Sequence, residues 1–171
     1  QGALRSARSR NNLREPGQTS GREVATDWYS SMNKYPNSGS INVGDQLPVV
    51  RRKANEAELF LYSAASFNPH RIHYDRGYAH HEGHHDTVVH GPLQGSWLTQ
   101  FVTDWAGPKA RLISIEWQNR ASAFVDEEVQ FSGTVVALDT LESIVELEIF
   151  ERKADGTILM PAKALVRLEE R

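Results

Sequence analysis

The stretch VVHGPLQGSWLTQFVTDWAGP, followed to the end of the chain by segments of alternating apolar and polar residues, limits most strongly what this chain can fold into. Leu93, Trp97, Leu98, Phe101, Val102 and Trp105 spread apolar side chains over more of a helix than a surface helix carries. Pro92 suits the first helical turn, where a missing N–H costs no hydrogen bond, and Gly107–Pro108 ends the helix. The span predicts a core helix of about four turns. RLISIEWQNRA, EEVQFSGTVVALD, SIVELEIFERK and TILMPAKALVRLEE then read as strands, with turns at Asp139–Thr140 and Ala154–Asp155–Gly156.

A curved antiparallel sheet wrapped around one long buried helix satisfies this order without a second layer. That is an α+β, single hot-dog fold. Upstream, VGDQLPVVRRK reads as a turn and a short strand, and NEAELFLYSAAS as a helix. Asn55 is its N-cap, and Glu56 and Glu58 sit in the first turn, where the helix dipole favours acids. Leu59, Phe60, Tyr62 and Ala65 are expected to share its apolar face. Residues 41–171 form the expected domain, and residues 1–40 an arm rich in Arg, Ser, Gly and Asn that lacks the aliphatics to order itself. Gln1–Gly2 reads as a protease scar, and the Leu4–Arg14 stretch as a tail, a linker or a segment like an organellar transit peptide. Trp28, Tyr29 and Tyr35 are expected to mark where the arm begins to pack.

The 171 residues suit one domain with a single core. A net charge of −3 gives no electrostatic case for nucleic acid or an anionic membrane as partner. No apolar run approaches the roughly 20 residues of a membrane span. The absence of cysteine excludes disulfides, thiol nucleophiles and zinc–thiolate sites. These features set the expectation of a cytoplasmic protein, or one of the mitochondrial matrix in a eukaryote.

All 7 histidines fall in FNPHRIHYDRGYAHHEGHHDTVVHG. Histidine changes charge near neutral pH, so the cluster points to proton transfer or to metal. His80, His81, His84 and His85, with Glu82 and Asp86, carry zinc-type donors. HHEGHHD is nevertheless not the HExxH helix of a metalloprotease, and Gly83 interrupts the helix that a shared face would require. No metal is expected, and these four histidines are read as a solvated, lid-like segment.

YSAASFNPHRIHYD followed by VVHGPL resembles the hydratase-2 branch of the MaoC-like hot-dog acyl dehydratases. It is most similar to the mesaconyl-CoA hydratases and the mitochondrial 3-hydroxyacyl-thioester dehydratase. The likeness runs from Val43 to Glu169 and is most specific between Phe60 and Leu93. It implies reversible syn addition of water to a trans-2-enoyl thioester of coenzyme A or acyl carrier protein, with no cofactor. In the family an Asp and a His, in a D-x-N-P-[IL]-H-x-D pattern, activate the water. Aligned without gaps, His73 falls on that His, Asp75 on the trailing acid and Asn68 on the catalytic Asp, while His70 and Arg71 replace Asn-Pro.

An amide cannot act as a base near neutral pH, so His73 is left as the main acid–base group and Asn68 as a water-orienting one. His70 is read either as a second proton carrier or as a partner that fixes Asn68. Arg71 is a candidate for a substrate carboxylate or a carrier phosphate, against an ordinary surface role. Asp75 is read as bonding backbone N–H groups or orienting His73, and His90 as a packing or loop-bonding residue. The resemblance assigns Gly91, beside Pro92, the oxyanion contact at the helix N-terminus, where the dipole favours negative charge.

Two other functions fit the same fold. One is a hot-dog thioesterase, against which Asn68 counts because it supplies no acid. The other is a non-catalytic acyl-binding subunit of a heterodimeric dehydratase. The resemblance also implies a homodimer or heterodimer of hot-dog domains joined strand edge to strand edge.

Overall fold

A computed structural model describes residues 35–168. The arm's residues 1–34, including Trp28 and Tyr29, lie outside the described residues. Tyr35 lies inside them and packs on Gly107, where an added Cβ would sit 2.5 Å from the tyrosine ring.

The elements follow the order expected from the sequence. A short strand β1 (Val50–Arg52) leads to helix α1 (Glu56–Ala65), and a 3-10 turn (Arg71–His73) leads to helix α2 (Arg76–His81). The long helix α3 (Gly91–Ala106) follows, and then strands β2 (Arg111–Trp117), β3 (Val129–Asp139), β4 (Ile144–Lys153) and β5 (Ile158–Arg167). The five strands form one antiparallel sheet in the order β1-β3-β4-β5-β2. This is the hot-dog arrangement of one helix against one curled sheet.

The core lies between α3 and the sheet. Leu93, Trp97, Leu98, Phe101 and Val102 of α3 are buried against Phe131, Val135, Leu147, Ile149, Leu159 and Met160. Burying each of these helix side chains stabilises the fold by roughly 1.5–3 kcal/mol, so this interface dominates. Gly95 lets α3 approach the sheet, since a Cβ there would lie 2.5 Å from the Trp117 ring. Trp105 is only half-buried at the far end of the helix.

Helix α1 begins as its sequence predicts, with Asn55 Oδ1 accepting the Glu58 N–H at 2.9 Å. Its apolar face differs from expectation. Leu59 and Ser63 are buried and Tyr62 packs on the core, whereas Phe60 is 59% exposed. Ala65 is exposed as well. The only part of α1 that faces the core is the strip from Leu59 through Tyr62 to Ser63, which turns toward the start of α3. The helix ends with Phe67 in the left-handed region (φ 52°) and the Asn68 N–H bonded to Ser63 O at 3.0 Å, which aims the following loop.

Candidate active site

Local capping shapes the histidine-rich segment. Asn68 Oδ1 accepts the His70 N–H at 3.3 Å, and His70 Nδ1 caps the 3-10 turn by accepting the Ile72 N–H at 3.4 Å. Asp75 N-caps α2, its Oδ1 accepting the Tyr78 N–H at 3.0 Å while its other oxygen takes the Arg71 guanidinium. The Arg71 guanidinium also lies 4.6 Å over the Tyr78 ring. The strand-like segment before α3 is tied on both sides: the Val88 N–H bonds Ile72 O at 2.9 Å and the Val89 N–H bonds Ala123 O at 2.9 Å.

These ties bring His73 and His90 together. His73 is 8% exposed, and its Nδ1 lies 2.7 Å from Val88 O. A carbonyl only accepts, so Nδ1 carries the hydrogen and the neutral ring keeps its lone pair on Nε2. Burial lowers the His73 pKa, the Val88 bond opposes that shift, and neighbouring His70 and His84 add to the lowering. A neutral imidazole with a bare Nε2 is the form a general base requires.

The His90 ring stacks on His73, with centroids 3.6 Å apart and planes 17° from parallel. His90 is fully buried, shares a 2.9 Å hydrogen bond with Ser63 Oγ, and lies 4.8 Å from the Tyr62 ring. Its Nδ1 finds no hydrogen-bond partner among the described residues. Burial, followed by the neighbouring His73, pushes its pKa down to about 4.

A cavity of about 380 Å³ opens beside His73, lined also by Glu56, Ala57, Phe60, Tyr74, Arg76 and Thr87. Arg76, not Arg71, is the arginine at this cavity, held by Asp86 at 2.8 Å and Glu56 at 3.0 Å. Of the residues expected at the site, His73 alone lines the cavity. Asn68, His70, Arg71 and Asp75 build the loop that carries it.

Gly91 opens α3 directly after His90. The room left by its missing side chain is taken by Asn119, whose Nδ2 would lie 2.7 Å from an added Cβ. Pro92 occupies the first turn. Among the described residues no group of three His, Cys, Asp or Glu side chains is placed to hold a metal ion. His80 Nε2 lies 2.9 Å from His85 O, and the His85 ring packs 3.7 Å from Phe124.

Three participants escaped the sequence reading: Ser63, the stacked role of His90, and Asn119. Ser63 carries a signal only in hindsight, as a small polar residue one helical turn after Leu59 on the buried strip.

A family model for hydroxyacyl-thioester dehydratase type 2 matches residues 6–125, beginning within the stretch read as an arm. Over 36 residues the chain is 67% identical to the mesaconyl-C(4)-CoA hydratase of Chloroflexus aurantiacus, covering 20% of this chain and 13% of that protein. The span matched is therefore a small part of that relative's length. Over 114 residues it is 26% identical to the 3-oxo-4,17-pregnadiene-20-carboxyl-CoA hydratase beta subunit of Mycobacterium tuberculosis, covering 67% of this chain and 87% of that one. Among solved structures, the (R)-hydratase of A. caviae involved in PHA biosynthesis matches with a TM-score of 0.70 at 22% identity, covering 76% of this chain and 98% of that one. With its hot-dog fold and its FNPHRIHYD…VVHGPL site segment, the chain belongs to the hydroxyacyl-thioester dehydratase type 2 family.

Proposed function

We propose that this protein is a hydro-lyase that adds or removes water across the C2–C3 bond of a 2-enoyl or 3-hydroxyacyl thioester. The observation that carries the reading is His73: a buried, neutral imidazole fixed through Nδ1 to Val88 O, on the wall of a substrate-sized cavity.

In hydration, His73 Nε2 takes a proton from the water as its oxygen bonds C3. The electron pair of the double bond moves toward the thioester oxygen, for which the family resemblance implies the Gly91 N–H at the start of α3 as the hydrogen-bond donor. The imidazolium then returns a proton to C2 on the same face, and the carbonyl re-forms. A positioned histidine supplies about 10²–10⁴-fold of such a rate, and the oxyanion contact and substrate positioning supply the rest. None of these steps draws on a cofactor. The family and the named activities of the two relatives support a coenzyme A or acyl carrier protein thioester as substrate, and a second hot-dog domain as partner.

One observation favours the alternative of a non-catalytic subunit: the Asn68 amide oxygen is already engaged by the His70 N–H, and an amide brings no second base. The two readings separate in a single assay, in which a panel of crotonyl, mesaconyl and longer enoyl thioesters is followed by loss of enoyl absorbance. Turnover by the isolated chain supports the hydro-lyase. Inactivity toward the whole panel contradicts it and favours the accessory subunit.

A further inference from the structure

A buried histidine with one nitrogen unpartnered is an expensive way to fill a core position, since an orphaned polar atom costs about 1–3 kcal/mol. His90 is such a residue: fully buried, with Nδ1 lacking a partner among the described residues. A leucine or phenylalanine would fill that volume without the penalty. As the N-cap residue of α3, His90 makes no side-chain capping bond either, so helix initiation does not explain it.

What His90 does touch is the acid–base group. Its ring lies flat on His73 at 3.6 Å and 17°, and Ser63 Oγ anchors its other nitrogen at 2.9 Å. Tyr62 closes the side at 4.8 Å. Ser63 and Tyr62 belong to α1 and His90 opens α3, so the platform ties two helices beneath a ring carried by the loop between them.

We propose that His90, anchored by Ser63, is a positioning residue that fixes the plane of the His73 ring and excludes water from its rear face. This inference rests on the hydro-lyase reading for its catalytic meaning, though its effect on His73 is measurable without turnover.

The mechanism follows from the geometry. With Val88 O holding Nδ1 in the ring plane and His90 covering one face, the imidazole keeps one orientation at the cavity wall. The other ionisable groups around His73 are His70 and His84 on the same segment, and Glu56, Tyr74 and Arg76 on the cavity walls. Arg76 pairs with both Glu56 and Asp86, so this group of three carries one net negative charge. Burial is the largest influence lowering the His73 pKa, and the stacked ring is a direct part of that burial. Removing the ring admits water behind His73 and moves its titration upward, toward the ordinary value near 6.5.

The test follows the His73 ring by NMR through a pH titration in wild type, His90→Ala, His90→Phe and Ser63→Ala, with kcat and KM measured in parallel. The expected result is a His73 midpoint that rises in His90→Ala and stays near wild type in His90→Phe, which restores a flat, buried ring. Ser63→Ala, which loses the anchor and keeps the ring, falls between them. In the hydration assay kcat of His90→Ala falls at least about tenfold with KM little changed, and His90→Phe recovers most of it. A His73 midpoint that does not move in His90→Ala overturns the inference even if that variant melts at a lower temperature. Should His90→Ala fail to fold, an unmoved midpoint in Ser63→Ala overturns it instead. A midpoint that moves in His90→Ala, together with a wild-type protein that turns over no enoyl thioester, contradicts the hydro-lyase reading and leaves the positioning of His73 standing.

Discussion

The Gln94 amide atom that faces Glu151 lies 3.0 and 3.1 Å from the two oxygens of that carboxyl group, inside the core between α3 and β4. In the orientation that satisfies both ends of the amide, Gln94 Nε2 donates to the two Glu151 oxygens. Burial pushes the Glu151 pKa up to about 8, so the acid is largely neutral near neutral pH.

This pair predicts a stability that falls as pH rises. Glu151 has a higher pKa folded than unfolded, so its neutral form favours the fold fully below the unfolded value near 4.5, and that advantage is lost as pH climbs toward 8. Glu151→Gln removes the titration and keeps a hydrogen-bonding side chain. Its melting temperature should exceed wild type by several degrees at pH 8, with the gap shrinking toward pH 5. A gap that does not depend on pH contradicts a buried neutral acid.

The histidines predict the opposite slope. His73 and His90 both titrate lower in the fold than unfolded, so their contribution is intact above about pH 6.5 and is lost as pH falls toward 4. In wild type the Glu151 effect offsets this loss. In the Glu151→Gln background the melting temperature should therefore drop steadily between pH 7 and 4.5, more steeply than in wild type. A flat profile there shows that the two rings are not held neutral.

Gly91→Ala separates folding from chemistry. The added Cβ meets the far end of Asn119, an exposed side chain that can swing away, so the stability change should stay under about 1 kcal/mol. The methyl group nonetheless crowds the first N–H of α3, where the thioester oxygen is proposed to sit. Hydration kcat should fall at least about tenfold, a fraction of what losing an oxyanion donor costs. Wild-type kcat in a folded Gly91→Ala protein places the oxyanion contact elsewhere.

The parts of this molecule that were legible in its sequence are those set by local pattern. Helix α3 and strands β3 to β5 follow from periodicity, and Asn55 from its place before an amphipathic run. Phe60 was misplaced because a short helix with apolar residues on several sides does not reveal which strip meets the core. Glu151 is legible in the same pattern: in β4 it falls in register with Val145, Leu147 and Ile149, which puts it on the buried face. The His73–His90 stack and the Ser63 anchor were not legible, because they join residues far apart in sequence through the packing of α1 against the start of α3. Asn68 reads in the sequence as a group directed at water, and its oxygen also accepts the His70 N–H in the loop that delivers His73.

The most direct test of the central claim is the hydration rate of His73→Ala compared with wild type on crotonyl thioester, with folding checked by thermal melting. Loss of the acid–base group predicts a kcat/KM at least about 100-fold lower in a protein that still melts cooperatively. The wild-type rate should itself decline as pH falls through the lowered His73 pKa, since only the neutral ring accepts a proton from water. A folded His73→Ala protein that hydrates crotonyl thioester at the wild-type rate would contradict the assignment of His73 as the base.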